Sequence, residues 1–249
     1  MKVSIVTVAY NAEETIGDTL RSVAEQDYPD IEHILIDGAS SDGTLGIIRK
    51  YEAGIARLVS EPDNGIYDAM NKGLALCTGE LIGILNSDDT YADGSVISDV
   101  VRTLSESSAD ACYADLDYVN RKNPDKVVRR WTSGPYKRSA FRAGWMPPHP
   151  TFFLKRTAYE AHGNFNTDLR TSADYELMLR MLYKHRLEAV YLNRVIVKMK
   201  TGGQSNVSLK NRLKSNREDR AAWQINGLKP PPGTFIMKPL RKLGQFFRR

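Results

Sequence analysis

The chain has 249 residues, 41% of them hydrophobic and 26% charged, with a formal net charge of +5. That composition excludes a disordered or collagen-like chain and supplies apolar surface for a real core, in one large α/β domain or a domain of roughly 200 residues with an appendage. No apolar run approaches the roughly 20 residues of a bilayer span. Val3 to Val8 is broken by Asn11, Glu13 and Glu14 before it could serve as a signal-peptide core, so the chain is expected to stay in the cytoplasm. Two cysteines, Cys77 and Cys112, build neither a disulfide framework nor a metal site with the four histidines, and read as small buried hydrophobes. The charge is uneven: residues 198–249 carry 13 Lys and Arg against two acids, leaving a net acidic body. A basic C-terminal segment on an acidic body points to contact with an anionic surface.

Through the first hundred residues, strand-like and helix-like segments alternate, the pattern of a parallel sheet with crossover helices. Val3 to Ala9 reads as a strand. Asn11 reads as an N-cap with Glu14 three residues on, followed by Ile16, Leu20 and Val23 at helical spacing. Ile31 to Ile36 is a second strand ending on Asp37-Gly38-Ala39-Ser40-Ser41-Asp42-Gly43-Thr44, with a helix through Ile47, Ile48 and Tyr51 after it. Ile55 to Ser60 is a third strand, Glu61 to Gly65 a turn, Ile66 to Leu76 a helix, and Leu81 to Leu85 a fourth strand that stops on Asn86-Ser87-Asp88-Asp89. All four strand ends carry polar or small residues, which makes one site from four loops. In open α/β sheets ligands bind outside the carboxyl ends of the strands, where Asp88 and Asp89 would meet a nucleotide and its divalent metal. The structural alternative for this pair is a helix cap or an acidic turn.

The second half is less regular. Strands are expected at Ala111–Tyr118, Val127–Trp131, Thr151–Leu154 and Ala189–Leu192, and a helix from Ala173 to His185. Gly227 to Gly233, with three consecutive prolines, reads as a linker, and Thr234 to Arg249 as a terminal basic amphipathic helix. The expected division is therefore a domain over 1–226 and a linker and tail over 227–249.

Four motifs occur in a telling order: VTVAYN at 6–11, IDGASSDGT at 36–44, EPDNGIYDAMNKG at 61–73 and LNSDD at 85–89. Together they resemble family 2 glycosyltransferases, and HPTFFLKR at 149–156 and SADYELMLR at 172–180 extend the resemblance through the second half. The EPDNGIYDAMNKG phrase is similar to the bacterial polysaccharide-assembly branch, such as the transferases of colanic acid synthesis. The resemblance implies a GT-A fold, that is, a Rossmann-like, mostly parallel central sheet with flanking helices, here with a C-terminal helical extension. It also implies a nucleotide-sugar donor, a divalent Mn²⁺ or Mg²⁺, and inversion at the anomeric carbon. Two positions depart from the common pattern: Asn86 stands where many relatives have Asp, and Met70 where they have Arg.

The residues themselves suggest roles. A uracil ring offers an N–H donor and carbonyl acceptors, so Asp37 is expected to accept from the base while backbone groups near Thr7 and Ala9 meet its other edge and Tyr10 stacks on it. For Asp37 the structural alternative is an Asx turn. Asn64 and Gly65 are first of all turn formers, and the family pattern promotes Asn64 to a nucleotide contact. Lys72 would face the diphosphate or else be a solvated helix lysine. Asp89 is expected as the direct metal ligand and Asp88 toward the ribose or the metal shell. An inverting transfer needs a base for the acceptor hydroxyl; Asp174 matches the second position of the family's Glu-Asp motif, with Ala173 in place of Glu. Its structural alternative is a carboxylate satisfying the helix dipole. Glu176 and Arg180, four apart, are expected as a surface salt bridge. His149, between prolines, reads equally as a site contact or as a buried hydrogen-bonded histidine, and Gly202 to Ser205 as a loop closing over the donor or a plain connection.

Cations and apolar residues alternate along 234–249 in a way that suits a membrane interface, so a peripheral location on the inner face of the cell membrane is expected, with no nucleic acid. The expected activity is non-processive transfer to a hydroxyl of a lipid-linked saccharide. A nucleotidyltransferase would need a Gly-rich, basic loop after the first strand, which Ala9 to Glu14 lacks, and a catalytically silent nucleotide-sugar-binding subunit would need degraded carboxylates, which Asp37, Asp88, Asp89 and Asp174 are not.

Overall fold

The computed structural model describes residues 1–202, 209–235 and 237. Its strands are β1 (Val3–Ala9), β2 (Ile31–Asp37), β3 (Arg57–Ser60), β4 (Leu81–Ile84), β5 (Asp89–Tyr91), β6 (Ala111–Val119), β7 (Val127–Trp131), β8 (Phe153–Lys155) and β9 (Ala189–Lys200). They form one sheet in the order β3-β2-β1-β4-β8-β6-β9-β5, with β7 on β6. β1, β2, β3 and β4 pair in parallel, as the alternating pattern predicts, so their carboxyl ends share one edge. From β8 onward the sheet is mixed rather than mostly parallel: β4–β8, β6–β8, β6–β7 and β5–β9 run antiparallel, and only β6–β9 in this half is parallel.

β1 reads Val-Ser-Ile-Val-Thr-Val-Ala and is buried throughout, as a β-branched central strand covered on both faces must be. Val6 and Val8 share one face with Ile34 and Ile36 of β2, covered by helix α3 (Ile66–Leu76) through Ala69, Met70 and Leu74. On the other face Leu35 meets Ile16 and Leu20 of α1 (Ile16–Ala24) and Ile48 of α2 (Thr44–Arg49). α4 (Val96–Ser105) packs Val96, Ile97 and Val100 against Val3 and Ile5. α3 lies so close to β1 that a Cβ on Gly73 would overlap the Val6 side chain.

Several local expectations are corrected. Asn11 is not an N-cap: its φ is +47°, its Oδ1 accepts from the Ser41 amide at 2.9 Å, and α1 starts after Thr15. Thr151 is in a 3-10 turn over His149–Thr151, because its Oγ1 donates to Ala114 O at 3.0 Å and Pro148 O at 2.9 Å, and the strand begins only at Phe153. The Ala189 strand runs on to Lys200. The helix from Ala173 exists in two parts, α-helical α6 (preceded in the chain by α5, Arg156–His162) over Ala173–Met178 and π-helical over Leu179–Lys184. α7 (Leu209–Ile225) has no counterpart in the sequence reading and packs on α6, with Trp223 Nε1 donating to Tyr175 OH at 2.8 Å.

The Glu176–Arg180 pair forms at 3.0 Å but is buried, not on the surface. Asn226, just past α7, donates to Glu176 Oε1 at 2.8 Å, and Arg180 also donates to the Gly163 and Asn164 carbonyls. The helix pattern alone could not show that another element covers this face. Beyond α7, Leu228 and Phe235 pack against the main core and Thr234 Oγ1 donates to Arg142 O at 2.6 Å. Most of the expected 234–249 helix, and Gly203 to Ser205 of the expected loop, lie outside the described residues.

At the amino ends of the parallel strands a second polar cluster is closed on itself. Buried Glu32 accepts from Ser4 Oγ at 2.6 Å, Lys2 Nζ at 2.9 Å, and both Thr78 N and Oγ1 at 2.8 Å. Burial alone would raise its pKa, but these hydrogen bonds outweigh it and hold the carboxyl at about 2.

Candidate active site at the strand ends

Parallel pairing brings the loops after β1, β2, β3 and β4 to one edge. Tyr10 projects from the end of β1 at 60% exposure. Opposite it, Gly38 is closely approached by its neighbours: an added Cβ would overlap the Asp63 carboxylate and lie 3.3 Å from the Tyr10 ring. Three loops therefore converge around Tyr10, Gly38 and Asp63. Asp63 belongs to the third of the four strand-end loops expected from the sequence, which gave it no individual role.

Asp37 is fully buried, and its carboxylate accepts from Ser40 N at 3.1 Å, Ser40 Oγ at 2.5 Å and Ser60 Oγ at 2.7 Å. This is the Asx-turn alternative, tying β2 to β3 and shaping the loop. Thr7 is buried with its Oγ1 3.0 Å from His33 Nε2, and the Ala9 carbonyl accepts from Gly38 N at 2.9 Å. Asn64 is a turn former here: its amide donates to Asp68 at 2.9 Å, and its carbonyl accepts from Arg170 at 2.9 Å. Gly65, at φ +117°, opens α3. Lys72 does not point free at the site, because its ammonium donates to Pro62 O at 2.8 Å and pairs with Glu61 at 2.7 Å, stapling that turn to α3.

The turn between β4 and β5 carries Asp88, and Asp89 opens β5. Asp89 N donates to Asn86 O and Asn86 Nδ2 to Asp89 Oδ2, each at 3.1 Å. Asp89 is fully buried, while Asp88 is half-buried. Burial raises the pKa of both; the neighbouring Asp88 charge lifts Asp89 further, and Lys200, at the end of β9, partly opposes this. Asp89 Oδ1 and Asn86 Oδ1 are buried with no hydrogen-bond partner among the described residues. Two orphaned acceptors beside two crowded carboxylates make a local excess of negative potential. Among the described residues no group of three or more His, Cys, Asp or Glu is gathered to hold a metal, so the protein supplies only part of any coordination shell here.

Asp174 opens α6 and is half-buried; its Oδ1 accepts from Tyr67 OH at 3.1 Å. His149, almost buried, lies within reach of that charge: burial lowers its pKa and Asp174 pulls the other way. Tyr118, at the end of β6, lies across β9 from Asp89, each being in register with Met199. Burial raises its phenol pKa, and the charges of Asp89 and Asp174 both add to the rise, while the Arg129 guanidinium, 3.9 Å from the ring centroid, opposes them. Tyr67 and Tyr118 were missed in the sequence because nothing local distinguishes them from core aromatics; only the packing of distant elements brings Tyr67, on α3, to Asp174 on α6 and sets Tyr118 across β9 from Asp89.

The geometry thus offers an exposed aromatic ring beside a close meeting of loops, a pair of crowded carboxylates, and a separate carboxylate held by Tyr67. The sequence matches glycosyl transferase family 2 over residues 4–163. An uncharacterized glycosyltransferase of Mycobacterium tuberculosis is 32% identical over 180 residues, covering 72% of this chain and 68% of that protein. Among solved structures, S. aureus TarS in complex with UDP-GlcNAc superposes with a TM-score of 0.73 at 19% identity, over 91% of this chain and 65% of that one. The mannosyltransferase PcManGT of Pyrobaculum calidifontis, in complex with GDP-Man and Mn2+, gives 0.67 at 22% identity, over 97% and 69%. The chain therefore spans about two thirds of the length of the TarS chain it matches, and at these identities the two structures speak for the fold. Matched through most of its first two thirds, and folded as a GT-A protein, the chain belongs to glycosyl transferase family 2 and is a glycosyltransferase.

Proposed function

We propose an inverting, metal-dependent, non-processive transfer of a sugar from a nucleoside diphosphate sugar, with uridine as the nucleoside, to a hydroxyl of a lipid-linked saccharide in cell-surface polysaccharide synthesis. The observation that carries this reading is the acidic corner at the end of β4, where Asp88 and Asp89 stand side by side and Asp89 Oδ1 and Asn86 Oδ1 are buried without a hydrogen-bond partner among the described residues. The UDP-GlcNAc complex of TarS supports the donor class.

In this reading the base stacks on the exposed Tyr10 ring, beside Gly38 and Asp63, and the diphosphate lies at the Asp88–Asp89 corner. That corner fits a hard divalent cation: two carboxylates, an unpartnered buried oxygen, and a repulsion that a cation relieves. Two carboxylates suffice because such ions complete their shells with substrate phosphates and water. Burial favours Asp88 as the carboxylate met from the cleft, with Asp89 behind it, the reverse of the division expected from the sequence. A bound Mg²⁺ or Mn²⁺ would neutralise charge on the departing diphosphate.

Asp174 takes the proton of the acceptor hydroxyl. The freed oxygen forms its bond to the anomeric carbon from the face opposite the leaving group, and the carbon–oxygen bond to the diphosphate breaks with its electron pair on the diphosphate. His149, kept neutral by burial, adds no opposing cation beside Asp174. The basic tail would hold the protein on anionic lipid; among the described residues no helix is long and apolar enough to cross a membrane.

Asp174→Asn tests the base. Turnover, read as nucleoside diphosphate release, should fall by about 10²–10⁴-fold with donor binding nearly intact; retained turnover overturns the assignment. A panel of nucleotide sugars with Mn²⁺ should yield one that raises the melting temperature through binding to the folded state, and a panel without effect would sink the donor reading. Removing residues 238–249 should move the protein from membrane to soluble fractions; unchanged partitioning would sink the anchor.

A further inference from the structure

Tyr67 lies on α3, just beyond the donor-side turn at 61–65. Its hydroxyl donates to Asp174 Oδ1 at 3.1 Å. Its ring is stacked on Phe165 with centroids 5.6 Å apart and planes 22° apart. Phe165 is in turn fixed to the same helix: Asn71, one turn beyond Tyr67, donates to the Phe165 carbonyl and accepts from its amide, each at 2.9 Å. The outer edge of Phe165 meets His149, edge-on at 5.6 Å. The phenol therefore has one orientation open to it. Burial, and then the Asp174 charge, push its pKa well above the ordinary tyrosine value, so the hydroxyl keeps its proton and stays a donor.

We infer that Tyr67 is a positioning residue for Asp174: its O–H holds Oδ1 and leaves Oδ2 to take the acceptor proton, so that the helix carrying the donor-side turn also sets the base. This rests on Asp174 being that base. A carboxylate free to rotate presents either oxygen in several directions, whereas one pinned by a rigid donor presents a single lone-pair set, and misplacement by about 1 Å costs on the order of 10²-fold in rate. Among the described residues Tyr67 from α3, Tyr118 from β6 and His149 from the 3-10 turn feel the Asp174 charge, and Tyr67 donates a hydrogen bond to it.

Tyr67→Phe tests the inference, since it keeps the ring and its stack and removes only the hydroxyl. The expected result is a fall in kcat of about 10-fold, with the donor KM and the melting temperature close to those of the parent protein. In an Asp174→Asn background the same change should cause no further loss. Unchanged kcat overturns the inference, as does a loss carried by donor KM and melting temperature, which would mark a purely structural contact. The two readings fail separately. Full turnover in Asp174→Asn removes the base itself, whereas an inactive Asp174→Asn beside a fully active Tyr67→Phe removes only the role of Tyr67.

Discussion

The two edges of the parallel sheet handle buried carboxylates in opposite ways. At the amino edge Glu32 is surrounded by donors from Lys2, Ser4 and Thr78 and is held at about 2. At the carboxyl edge Asp89 has one oxygen held by Asn86, the other unpartnered, and a second carboxylate beside it that raises its pKa. A carboxylate with all its hydrogen bonds made within the protein stabilises the fold; one left short of donors retains binding capacity for something outside it. The difference separates a structural acid from a functional one without reference to sequence motifs.

The contrast breaks if the two edges respond alike to charge removal. The largest effect is expected from Asp88→Asn, which should lower turnover by at least about 10²-fold with Mn²⁺ present and leave the melting temperature unchanged or higher; near-normal nucleoside diphosphate release would remove the acidic corner from the mechanism. Glu32→Gln should do the reverse, destabilising by up to about 3 kcal/mol, at 1.36 kcal/mol per pKa unit, with turnover per folded molecule unchanged; urea unfolding measures it.

Stability against pH sharpens the same contrast. Glu32 has a depressed folded pKa, so its contribution is complete above the unfolded carboxylate range and is lost as pH falls toward about 2. Asp89 has a raised one, so its cost is complete above that raised value and is relieved as pH falls through it. Melting temperature should therefore rise as pH falls through the raised Asp89 range and drop below the ordinary carboxylate range, and Asp89→Asn should flatten only the upper part of the curve. A smaller effect tests the covering layer: Gly73→Ala gains up to about 1 kcal/mol of helix propensity but forces Val6 aside, where overpacking costs about 1–3 kcal/mol. Net destabilisation is expected, and a stabilised variant would mean that α3 gives way easily.

Legibility in the sequence followed the range of the interactions. β1 and α3 occur at the expected residues, Val3–Ala9 and Ile66–Leu76, because buried β-branched runs and apolar helical spacing are local signals. β5 was invisible: its three residues are a strand only by pairing Asp89 with Met199 far along the chain. α7 is mostly polar, and Ala222 and Trp223 anchor it in contacts that no short window contains. The motifs singled out Asp88, Asp89 and Asp174 as candidates, but not their environments. Asp37 and Lys72 illustrate the gap, since the Ser40 and Glu61 that engage them were in plain view within the same motifs. The Asx-turn chemistry of Asp37 was legible; its outcome depended on Ser60, from the next strand.

The lock between α6 and α7 has a consequence for orientation. Tyr175, next to Asp174, is bonded to Trp223, and Asn226 is bonded to Glu176 on the same helix. Thr234, a few residues later, is fastened to Arg142. Whatever the residues after 237 attach to, they depart from a point rigidly referenced to the base, like a mast stepped beside the helm. If they lie on a bilayer, the height and tilt of the cleft above the lipid surface are set by this short strut, and adding or deleting residues between 227 and 237 would change which hydroxyl of a membrane-held acceptor comes level with Asp174.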